Sequence, residues 1–148
     1  MIVPFIRYFP SAVNETTVTQ PPYSCRRTAV AFPDAIALGG YPIDIHAPTN
    51  AQTITRHLGH QDIYQIPLGS LLPETIENLV VVGRCISATH EAAAAIRVTP
   101  IAMAIGQAGG VTAGEACRLG LAPWRVPHQT VQATLRAQGA QLPAAAGV

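Results

Sequence analysis

The residues best suited to chemistry crowd one stretch, "VVVGRCISATHEA", residues 80 to 92. Gly83, Arg84, Cys85, Ser87, Thr89, His90 and Glu91 follow directly on three β-branched apolar residues, Val80, Val81 and Val82, and Arg97 comes shortly after. An arginine can pair with a phosphate or carboxylate in a two-pronged way. A histidine titrates near neutrality and so can give or take a proton. A glycine lets backbone pass close to a ligand. Cys85 and His90 could be imagined as nucleophile and base, but no third group orients them, and a small cysteine is more often packed in a core. The abrupt change from "VVV" to "GRCISATHEA" reads as a buried strand that ends where a ligand begins.

Two other groups have ligand-like spacing. His57 and His60 lie near Asp62 in "HLGHQD", and Asp44 with His46 could complete a metal set. The glycine between the two histidines and the weak helical pattern favour a solvated loop instead, and no metal is assigned. Cys25, Cys85 and Cys117 are odd in number and far apart, which offers neither a disulfide framework nor a CxxC site.

The elements that must position these residues show in the apolar pattern. "YPIDIH" alternates, with Ile43 and Ile45 on one side and Asp44 and His46 on the other, as in a short strand. "QDIYQIPLGSLLP" suggests another, with Ile63 and Ile66 apolar and Pro67 at its end. "ENLVVVG" is a continuous apolar run, as in a strand covered on both faces. From Val98 a helix is expected, with Thr99 as N-cap, Pro100 at the first helical position and Gly120 as stop. Apolar residues cover nearly its whole circumference, so burial on all sides is expected. Gly106, Gly109, Gly110 and Gly114 would together cost it roughly 3 to 4 kcal/mol relative to alanine, which close approach of a backbone or ligand would offset. A final helix is expected over 130–138, closed by Gly139, with Val131 and Leu135 at helical spacing.

The chain has 148 residues, enough for one core, yet 49% are hydrophobic and only 11% charged, against about 25% in an average soluble domain. Solvated surface is in short supply. The longest uncharged run, Val98 to Gly114, is shorter than the roughly 20 residues a spanning helix needs and holds four glycines. "MIVPFIRYFP" is broken by Pro4 and Arg7 and does not read as an export leader, so a reducing cytoplasm is expected. A net charge of +1 with scattered arginines gives no basic stripe for nucleic acid.

"IPLGSLLPETIENLVVVGRCISATHEAAAAIRVTPIAMAIGQAGGVTAGEA" resembles the C-terminal part of the FAD-dependent oxidoreductase family, above all in "GRCISATHEA" and "GQAGG". "FPDAIALGGYPIDIH" and "TVQATLRAQGAQL" are similar to segments of the same family, so the resemblance spans about residues 32 to 142. It implies an α/β fold: the C-terminal part of a two-dinucleotide-binding-domain flavoprotein, made of the strand, Gly-Arg and helix of the FAD domain plus a piece of the substrate domain. The implied division is an irregular segment 1–31, a substrate-domain part 32–72, an FAD-domain part 73–142 and a tail 143–148. FAD would contact Gly83, Arg84, Ser87, Pro100, Met103, Gly106 and Gln107, and His90 and Arg97 would serve the hydride transfer between flavin and a small-molecule substrate.

The departures are equally informative. No G-x-G-x-x-G, the loop that holds the FAD pyrophosphate, occurs in these residues. Gly69 stands where the family's "YRSL" has arginine. Some relatives carry an iron–sulfur label, but three isolated cysteines cannot supply four ligands. The chain is therefore expected to be a C-terminal portion, inactive and weak toward FAD by itself. The competing expectation is a non-catalytic remnant, or a small subunit that acts through a partner carrying the FAD-binding half.

Overall fold

The computed structural model describes residues 31–46, 53–56 and 63–143. The expected irregular segment 1–31, apart from Ala31, lies outside these residues, as do His57, His60, Asp62 and the end of the tail. The architecture is mixed α/β. Four strands, β1 (Ala35–Gly39), β2 (Ile43–His46), β3 (Thr53–Arg56) and β4 (Tyr64–Pro67), precede three helices, α1 (His90–Ile96), α2 (Thr99–Leu119) and α3 (His128–Ala137). Three 3-10 turns punctuate them at Leu68–Leu71, Gly83–Cys85 and Pro123–Arg125.

The strands form two antiparallel pairs, β1 with β4 and β2 with β3. The "YPIDIH" strand is present, with Ile43 fully buried and Ile45 packed against the core. In β4, Ile66 is buried as its alternation requires, but Ile63 lies just before the strand and is 55% exposed. The ring of Tyr64 lies directly over Gly39, where a β-carbon would overlap it, and its hydroxyl donates to the Ala95 carbonyl at 3.0 Å. That contact joins β1 and β4 to α1.

The core gathers Ile36, Ile43, Ile66, Leu71, Ile96, Ile105, Val131 and Leu135, drawn from β1, β2, β4 and all three helices. α3 sets Val131 and Leu135 inward at the i, i+4 spacing read from the sequence, and begins at His128, two residues earlier than expected. Between them Gln132 is buried, and its amide donates to the carbonyls of Pro33 and Ala35, both at 2.9 Å. Thr134 donates to Glu115 Oε1 at 2.8 Å, and Arg118 holds Glu115 Oε2 at 2.7 Å, so α2 and α3 are laced together near their far ends.

Three expectations are corrected. Val80, Val81 and Val82 are not in a sheet: the backbone is extended at Val82, and the Val81 N–H donates to the Leu71 carbonyl at 2.8 Å, but no strand pairs with them among the described residues. A β-branched run becomes a ladder only where another strand lies beside it. α2 is buried on one face only. Ile101, Ile105, Ala108, Gly109, Thr112 and Ala116 face inward, while Met103, at 69% exposure, Gln107, Gly110, Ala113, Gly114 and Cys117 face outward. Small uncharged residues had made the outer face look like core. The N-cap of α2 is Val98, with Thr99 already helical, and Gly120 ends the helix at φ +63° as its position suggested.

Candidate functional site

The strand-like run ends in the tight turn Gly83–Cys85, and Gly83 takes φ +67°, a left-handed conformation that favours glycine. The turn directs Arg84 to the junction of α1 and α2. Arg84 Nε donates to the Arg97 carbonyl at 2.9 Å. The Arg97 side chain reaches back to β2, where its Nη2 meets both the carbonyl and Oδ2 of Asp44 at 3.1 Å. A half-exposed cation in a nearly uncharged segment thus has its partner. Asp44, considered from sequence as a metal ligand, instead fixes Arg97.

α2 begins two residues after Arg97. Its start has no side-chain cap and no acidic residue in the first turn, and the first intrahelical bond runs from Ala102 N–H to the Val98 carbonyl. Pro100 has no N–H, and those of Thr99 and Ile101 have no partner among the described residues. The Nη atoms of Arg84 likewise have none. An exposed guanidinium and the positive end of a 21-residue helix are therefore brought together, and this favours an anion or an electron-rich carbonyl edge.

The other sequence-selected residues are distributed around this junction. Thr89 caps α1, its Oγ1 accepting from the Ala92 N–H at 3.3 Å, and His90 and Glu91 lie in the first turn. His90 is exposed, and the seven residues of α1 separate it from Arg97 by about 10 Å. Ser87 is half-buried, with its N–H bonded to the Ser70 carbonyl at 2.9 Å. Met103 stands exposed one turn into α2. Gly106 follows on the same side with open space above it, and Gln107 donates to Gln138 Oε1 at 3.0 Å. Cys85, expected to pack in the core, is exposed because the 3-10 turn points outward.

Sequence reasoning missed Asp34. Its Oδ2 accepts from the Gly69 N–H at 3.1 Å, and its Oδ1 is buried with no hydrogen-bond partner among the described residues. No local pattern marks it, since its partner Gly69 lies 35 residues along the chain. Tyr64, also unremarked in the sequence, has its pKa pushed up to about 12, because burial disfavours the phenolate, with a smaller opposing contribution from the Tyr41 backbone.

Among the described residues no cluster of three histidine, cysteine or acidic side chains could hold a metal, and no helix is long and apolar enough to cross a membrane. Comparison with curated proteins and with solved structures found no match. A family model described as FAD dependent oxidoreductase matches residues 12–135. That match covers most of the sequence and includes both the Gly83–Arg84 turn and α2, and the chain belongs to the FAD dependent oxidoreductase family.

Proposed function

We propose that the junction of Gly83, Arg84, Arg97 and the start of α2 is one wall of a flavin and substrate pocket in an FAD-dependent oxidoreductase. The observation that carries this reading is the hydrogen bond from Arg84 Nε to the Arg97 carbonyl, which holds a guanidinium beside an uncapped helix start. Those residues fit FAD chemically, since the cofactor offers an electron-rich carbonyl edge and phosphates. FAD, when bound, supplies the hydride chemistry.

The protein's own groups bind and orient. Arg84 offers two Nη ends that have no partner among the described residues, and Gly83 keeps side-chain bulk away from the turn. Pro100, Met103 and Gly106 border the approach along α2, with Ser87 and Gln107 at its margins. Arg97, locked to Asp44, acts as a positioning residue for Arg84. His90, exposed at the start of α1, is the group suited to give or take the substrate proton. The pyrophosphate is assigned to a G-x-G-x-x-G loop outside these residues, in a partner or a connected segment, so FAD binding by this chain alone should be weak.

Titrating the chain with FAD while following flavin fluorescence tests both points. Weak quenching is expected, reduced a further 10-fold or more in Arg84→Gln, because a charge-assisted hydrogen bond is lost. Tight stoichiometric binding would overturn the assignment of the pyrophosphate elsewhere. Equal quenching by the two proteins would overturn the role of Arg84.

A further inference from the structure

Helix α1 passes into α2 with no loop between them, since Arg97 closes the first and Val98 caps the second. The direction of the Arg97 carbonyl is therefore set by whatever fixes the last turn of α1. The last four carbonyls of a helix have no partner within it. One of these, that of Ala95, accepts the Tyr64 hydroxyl in a buried bond of 3.0 Å. Two residues later stands the carbonyl of Arg97, which accepts Arg84 Nε at 2.9 Å.

Tyr64 itself has little freedom. It is 8% exposed, and its ring lies over Gly39 on the paired strand β1, where any β-carbon would overlap it. Its oxygen also takes a hydrogen bond from the backbone of Tyr41, in the turn between β1 and β2. β2 then runs to Asp44, whose carbonyl and Oδ2 meet Arg97 Nη2 at 3.1 Å. The end of α1 is thus tied twice to the segment 41–44, through Tyr64 at Ala95 and through Asp44 at Arg97. The two ties differ in kind. Asp44 holds a long side chain that is 42% exposed, whereas Tyr64 holds the helix backbone from the core, where water competes less for the bond.

We propose that Tyr64 is a positioning residue for Arg84: by holding the last turn of α1 through the Ala95 carbonyl, its hydroxyl sets the Arg97 carbonyl where Arg84 Nε meets it, and so fixes the guanidinium beside the start of α2. Tyr64 acts through Ala95 and Arg97, not by contact with a ligand. Its bearing on FAD rests on the pocket reading given above, whereas its hold on Arg84 does not. Gly39 belongs to the same device, because it leaves the ring the space from which the hydroxyl reaches α1.

Proton exchange measured by NMR on the full chain tests the role without a ligand. The Arg84 Nε–H should exchange with water about 3-fold or more faster in Tyr64→Phe, which keeps the ring and removes only the donor. The Arg118 Nε–H, bonded to Glu115 at 2.7 Å near the other end of α2, should not change, whereas a merely structural loss would release both. If Tyr64→Phe does not fold, Arg84→Ala, at an exposed position, reads the same coupling from its other end, because coupling is reciprocal: the Tyr64 hydroxyl proton should exchange about 3-fold or more faster. Unchanged Arg84 exchange in a folded Tyr64→Phe, equal release of Arg84 and Arg118, or an unchanged Tyr64 hydroxyl in Arg84→Ala would overturn the role. Flavin quenching by Tyr64→Phe separates this role from the pocket. Arg84 released and quenching weakened supports both, while Arg84 released with quenching intact supports the hold of Tyr64 on Arg84 and overturns the pocket.

Discussion

Val82 occupies the space a side chain at position 109 would need: a β-carbon on Gly109 would overlap Val82 Cγ1 and lie 3.4 Å from Val80 Cγ1. Of the four glycines in α2, Gly109 is the one whose missing side chain the described structure uses, because Gly106, Gly110 and Gly114 face open space. Gly109→Ala should therefore destabilise the chain by about 1 to 3 kcal/mol, overpacking outweighing the gain of up to about 1 kcal/mol in helix propensity. Adding Val82→Ala should recover most of that loss. Gly110→Ala should stabilise the isolated chain by up to about 1 kcal/mol. Urea midpoints of the four proteins check the set, and a neutral Gly109→Ala would show that Val82 does not press on α2.

The same contrast shows how far the sequence could be read. The glycines of α2 pointed correctly to a close approach, but among the described residues only Gly109 meets one. Spacing located β2, β4, α2 and α3 within a few residues, because Ile43, Ile66, Val131 and Leu135 alternate or recur as burial demands. It could not show that Val80 to Val82 lacks a neighbouring strand among the described residues, since pairing depends on residues elsewhere in the chain or beyond it. Of the candidate site, Gly83 and Arg84 were legible from the motif. The link from Arg97 to Asp44, 53 residues apart, was not, because no local pattern records which acid a lone arginine will find.

Tyr64 should make the fold sensitive to alkali. Its pKa is raised to about 12 in the fold against about 10 in the unfolded chain, so the unfolded state gives up the proton first. The stability due to the neutral phenol is present below pH 10 and is lost as pH rises toward 12. Tyr64→Phe should cost about 1 kcal/mol at pH 8, through the lost hydrogen bond to Ala95, and should flatten the alkaline decline. Thermal melts at pH 8, 10 and 11 would show this, and parallel declines in the two proteins would contradict it.

Glu115 should act at the opposite end of the scale. The hydrogen bond from Thr134, followed by the contacts from Arg118, holds its carboxyl below the usual range. Its stabilising effect is present above the unfolded carboxylate pKa and is lost as pH falls through the folded value. Glu115→Gln should thus flatten the acid side of the stability profile between about pH 5 and 3 and leave the alkaline side unchanged. Urea midpoints across that window would detect it, and an unchanged acid slope would count against the link between α2 and α3.

Asp44→Asn keeps the backbone acceptor for Arg97 but removes the opposing charge. A loss of up to about 1 kcal/mol is expected, because the pair is only partly buried. The larger consequence should be for FAD, whose quenching ought to weaken as Arg84 loses its fixed support. A variant with the same fold stability loss but unaltered flavin response would separate Asp44 from the proposed pocket.

The amide of Gln132 reaches carbonyls at Pro33 and Ala35, 99 and 97 positions earlier in the chain. On the ribosome, β1 emerges long before the helix that closes over it. Until α3 has been synthesised, the first strand's outer carbonyls and the apolar residues beside them stay uncovered, a window in which chaperones or aggregation compete with folding. A premature stop before residue 128 would therefore do more than remove a helix: it would leave β1 without the side chain that ties down its carbonyls.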